Sequence, residues 1–70
     1  MAKYIIQATC QRGIVETGFI CFDWVRGKRY PETFCVSTNG YAQPMTERQK
    51  DYFEDTLQNN GFEFKVIELL

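Results

Sequence analysis

The chain has 70 residues, 44% apolar, 24% charged and 16% aromatic, with a net charge of −1 and no histidine. That length makes one domain, residues 1–70, with a small core in which large rings are efficient filling. The near-neutral balance argues against a protein that coats DNA, and no apolar run is long enough to span a bilayer.

Lys3 to Cys10 alternates in polarity and is a predicted strand. Gln11-Arg12-Gly13 is a short turn, and Ile14 to Val25 is a long second strand with Gly18 in its middle, a place for a bulge or a close backbone approach. Arg26-Gly27-Lys28-Arg29 makes the second turn. Pro31 suits the beginning of an edge strand, and Glu32 to Ser37 is strand three. Asn39-Gly40 is a turn signal, Tyr41 to Gln43 is a short returning strand or loop, and Pro44 ends the extended structure.

Thr46 to Gly61 is the predicted helix. Thr46-Glu47-Arg48-Gln49 has capping-box spacing, Glu47 suits the positive end of the dipole, and Gly61 can take the left-handed position after the last turn, with Phe62 near Leu57. Phe62 to Leu70 is the last strand; Phe62, Phe64 and Val66 alternate, while Ile67, Leu69 and Leu70 blur the period.

The expected fold class is α+β: a four-stranded, mostly antiparallel sheet, β-β-β-α-β in sequence and 3-2-1-4 in space, with one helix on one face. A right-handed crossover sets strand four parallel to strand three and beside strand one. Turns centred on Arg12 and on Gly27-Lys28 pair Ile5 with Phe19 and Phe19 with Val36. One face then carries Tyr4, Ile6, Ala8, Cys10, Ile20, Phe22, Trp24 and Cys35, and is assigned to the helix with Tyr52, Phe53 and Leu57. The other carries an apolar cluster of Ile5, Phe19, Cys21, Phe34 and Val36 that one helix cannot cover, and a contiguous patch of that kind marks an interaction surface.

The three cysteines are odd in number and none is spaced as C-x-x-C, so they are expected to be reduced thiols packing in a cytoplasmic protein. Cys10 and Cys35 lie on strands separated by strand two, too far apart to bridge. No nucleotide loop, metal-ligand spacing or carboxylate dyad is present, so no catalytic residue, cofactor site or metal site is assigned and no enzyme is expected. Residues 1–36 carry five Lys/Arg against three Asp/Glu, and residues 37–70 carry three against six. Such a bipolar surface can steer a partner.

Three binding surfaces follow. The leading one is protein-binding, through Ile5, Phe19, Phe34 and Val36 or through the acidic helix residues Glu47, Asp51, Glu54 and Asp55. A small non-enzymatic chain of this architecture is like the accessory proteins of phages and mobile elements, which occupy a surface of a host protein and inhibit it. The second is a homodimer burying the same sheet face. The third is RNA or single-stranded DNA held by Arg26, Lys28, Arg29 and Tyr30; the acidic C-terminal half ranks nucleic acid below protein.

Overall fold

A computed structural model describes the backbone of residues 3–12 and 14–69, and the side chains of these except Cys10, Gln11, Arg12 and Ile14. The elements are β1 (Lys3–Arg12), β2 (Ile14–Asp23), β3 (Thr33–Ser37), α1 (Glu47–Asn59) and β4 (Glu63–Leu69). The sheet order is β3-β2-β1-β4, as expected, and every neighbouring pair is antiparallel. The first turn at Gly13, the face taken by Cys10, and Leu70 lie outside what is described.

Strand four is therefore antiparallel to β1, not parallel. The reason lies in residues 41–45. β1 and β2 pair from Arg12↔Ile14 only as far as Gln7↔Phe19. Beyond that point Met45 bridges Tyr4 antiparallel, with reciprocal backbone bonds of 2.9 and 2.8 Å. The Phe22 N–H, freed from β1, donates to Gln43 Oε1 at 3.0 Å. After β3 the chain thus returns to the Tyr4 end of the sheet before the helix begins. A 13-residue helix rises about 20 Å, which carries it back to the level of Thr9, where β4 starts by pairing Glu63. The crossover expectation fails because this extended limb precedes the helix.

The β1–β2 register sets Arg12, not Cys10, opposite Ile14. This two-residue shift leaves both faces as expected. The β2–β3 register differs by one: Ile20 pairs with Val36, Cys21 with Cys35, and Phe22 with Phe34. A single step turns every side chain of β3 to the other face. The connection is not a symmetric hairpin on Gly27-Lys28. A tight turn closes with the Lys28 N–H on the Val25 carbonyl at 3.0 Å; extra residues, Pro31 among them, then follow before the Glu32 N–H reaches the Asp23 carbonyl at 2.8 Å.

The core lies between the helix and one sheet face. Ile6, Ala8, Ile20, Met45, Phe53 and Leu57 are buried, and the larger of these side chains each contribute about 1.5–3 kcal/mol by leaving water. Phe22, Trp24 and Tyr52 pack edge-on or tilted around Phe53 at centroid distances of 5.1–6.1 Å. Gly18, opposite Ala8, sits under the end of β3: a Cβ there would lie 1.9 Å from the Ser37 carbonyl oxygen, so the site holds only glycine.

The helix starts and stops as its sequence dictates. Gln49 N–H donates to Thr46 Oγ1 at 3.2 Å, and Thr46 N–H donates to Gln49 Oε1 at 2.9 Å, completing the capping box. At the other end Gly61 has φ 74°, and the Gly61 and Phe62 N–H groups donate to the Gln58 and Leu57 carbonyls, which is the Schellman pattern.

Candidate functional site

The sheet has a second face, on which no described helix or strand packs; the loop after β3 reaches it only where the Tyr41 carbonyl meets the Cys21 thiol. Alternation along the strands puts Lys3, Ile5, Gln7 and Thr9 of β1 there, with their β4 partners Leu69, Ile67, Lys65 and Glu63. Phe19, opposite Gln7 and Ser37, adds the aromatic ring from β2. Ile5, Phe19, Ile67 and Leu69 are all half-buried, and Ile5 and Ile67 are direct cross-strand partners. A pair of this kind contributes roughly 0.2–1 kcal/mol to the sheet itself. Thr9 and Thr17 share a hydroxyl hydrogen bond of 3.1 Å at the far end, and Lys3, Lys65 and Glu63 set a charged rim.

Of the five cluster residues expected on this face, Ile5, Phe19 and Cys21 are there. Phe34 and Val36 are not: the one-residue step in β3 sends them to the helix side. Phe34, 39% exposed, sets its ring edge-on to Phe53 at 5.4 Å, and Val36 packs against the core. In their place come Ile67 and Leu69. The sequence signal for these two was the broken alternation at the end of β4, which marks a strand apolar on both sides.

The acidic helix surface is partly neutralised from within. Lys50 Nζ lies 2.7 Å from Asp51 and 2.8 Å from Glu54, with its stem largely covered and its ammonium 5.1 Å from the centre of the Tyr4 ring. Those two hydrogen bonds hold the Lys50 ammonium above its ordinary pKa. The Tyr4 phenol is also held above its usual range, first by desolvation and then by the carboxylates of Glu68 and Glu47. Asp51 and Glu54 thus already have a cationic partner, whereas Glu47 and Asp55 make no ion pair among the described residues.

The cationic turn is divided. Lys28 and Arg29 line an open cleft of about 400 Å³ together with Trp24, Thr46 and Arg48; Arg26 is not part of it. The Tyr30 ring packs on Tyr52 at 5.6 Å, and the Trp24 indole N–H donates to the Lys28 carbonyl at 3.0 Å, so both rings serve first to hold the turn against the helix. Arg48, on the first turn of α1, joins the cleft only through the fold.

Among the described residues no group of three or more His, Cys, Asp or Glu side chains is placed to hold a metal, and no helix is long and apolar enough to cross a membrane. Compared with models of known families, with curated proteins and with solved structures, the chain matches none.

Proposed function

We propose that this chain is a small protein-binding module whose contact surface is the uncovered sheet face around Ile5, Phe19, Ile67 and Leu69. One observation carries the reading. Apolar side chains from three adjacent strands, Ile5 opposite Ile67 and Phe19 one step along β2, share a face over which no described helix or strand packs. A surface of that kind rimmed by charge is the ordinary form of an interaction site. Phe19, on the β2 side of the group, is its one aromatic ring, the residue type in which binding energy concentrates in such patches. The module acts by occupying its partner's surface, as an accessory or inhibitory protein does.

The test is comparative. Tagged wild-type protein and the variants Phe19→Ser and Ile67→Ser are recovered from the native cell, and co-eluting proteins are identified. A partner held by the wild type and lost from both variants, with circular dichroism unchanged, is the expected result. A partner retained by both variants would place the contact elsewhere.

A second reading, a homodimer, is favoured by the edge of β4. Tyr4 turns its backbone groups towards Met45, so Ile5 and Gln7 turn theirs towards β4. The N–H and C=O groups of Phe64, Val66 and Glu68 then point outward, away from β1, along an edge that no described strand covers. A second copy adding its own β4 there would join two open faces into one. Sedimentation of the purified protein separates the readings: a dimer lost on Val66→Pro supports self-association, and a monomer at all concentrations removes it.

A further inference from the structure

We propose that Cys21 and Cys35 form a redox-responsive dithiol site, two thiols that close into a cross-strand disulfide by exchange with a small-molecule disulfide. The β3 register that moved Phe34 to the helix side also brings these two residues together: they are direct partners across β2 and β3. Direct partners in an antiparallel pair project to the same face. The Phe22 N–H points towards Gln43, so the backbone groups of Cys21 turn towards β3, and the Cys21–Cys35 pair is of the hydrogen-bonded kind. Such pairs have Cα atoms about 5.5 Å apart, within the range of a disulfide. Their Cβ atoms lie near the wide end of roughly 4.5–5.5 Å. β2 and β3 must therefore draw together to reach the roughly 3.5–4.5 Å a disulfide needs, and the strained bond is readily reduced again. Both thiols are free.

Their surroundings set the order of events. Cys35 is exposed, whereas Cys21 is half-buried and its thiol donates to the Tyr41 carbonyl at 3.7 Å. The Cys35 thiolate therefore attacks the small disulfide first. One S–S bond breaks, one forms, and one small thiol leaves. Cys21 then gives up its proton, attacks the Cys35 sulfur in the mixed disulfide, and expels the second small thiol. The protein loses two protons and two electrons, and the small disulfide gains them as two thiols. The site stands on the strand register alone and does not depend on the protein-binding reading.

Reduced wild type and the variants Cys10→Ser, Cys21→Ser and Cys35→Ser are incubated with oxidised glutathione, blocked with iodoacetamide, and examined by intact mass and non-reducing peptide mapping. Wild type and Cys10→Ser should lose two hydrogens at the pair, retain no glutathione there, and yield a Cys21–Cys35 linked peptide that dithiothreitol separates. Cys21→Ser should stop as a glutathione adduct on Cys35, with no bridge. In the wild type, whose fold is not in question, three results would overturn the site: a lasting glutathione adduct on Cys35, a bridge through Cys10, or a disulfide-linked dimer.

Discussion

The two faces of the sheet are built from the same strands and differ in what alternation delivers to them. The covered face receives Ile6, Ala8 and Ile20, all buried beneath Phe53 and Leu57. The open face receives Ile5, Phe19, Ile67 and Leu69, interleaved with Gln7, Thr9 and Lys65, and these four apolar groups stay partly in water. Among the described residues, one helix of 13 residues is all there is to cover a sheet. The difference teaches that stability is concentrated on one side and that side chains on the other are free to serve something else. Substitutions on the two sides should therefore separate folding from binding.

The largest effect belongs to the covered face. Phe53 is fully buried and lies at the centre of the aromatic cluster. Phe53→Ala should cost about 3–5 kcal/mol, which in a domain this small abolishes the cooperative melt seen by near-ultraviolet circular dichroism. A variant that melts within a few degrees of wild type would mean the covered face is not the core.

Next is Gly18→Ala. The added methyl has no room beneath the Ser37 carbonyl, and the end of β3 must lift for it. The expected loss is about 1–3 kcal/mol, read from chemical denaturation. Since β3 carries both Phe34 and Val36 to the covered side, an unaffected Gly18→Ala would also undo the β2–β3 register.

Thr46→Ala removes the side-chain half of the capping box and should cost about 1 kcal/mol in the same measurement. It sharpens the comparison by loosening the cover without touching either sheet face. The helix ends were legible in the sequence because caps are local chemistry: Thr46, Gln49 and Gly61 lie within a few residues of the groups they satisfy. The strand order was legible too, since the chain has few ways to join three antiparallel strands and a helix. The β3 register was not, because it depends on how residues 24–32 fold back, and Pro31 with its neighbours adds length that composition does not show. The direction of β4 was hidden for a similar reason. It is set by Met45 pairing with Tyr4, a contact between residues 41 positions apart. Of the open face, Ile5 and Phe19 were visible from alternation. Ile67 and Leu69 were not, because β4 is apolar on both sides and its period gives no direction.

The smallest effect on stability should come from the open face itself, and it separates the two sides most directly. Phe19 and Phe34 are the same residue type on adjacent strands, and the register sends them to opposite faces. Phe19→Ser and Ile67→Ser each remove a side chain that is already partly hydrated, so each should cost about 1 kcal/mol or less in chemical denaturation. Phe34→Ser, though its ring is 39% exposed, also loses the edge-on contact with Phe53, worth about 0.5–1.5 kcal/mol beyond area burial. Phe34→Ser should therefore be the less stable of the two phenylalanine variants while leaving partner binding intact. Phe19→Ser should fold as wild type does and lose binding by about 2 kcal/mol or more, the usual scale for an aromatic anchor. The reverse order, with Phe19→Ser unfolding and Phe34→Ser blind to a partner, would exchange the two faces and move the binding surface to the edge of β3.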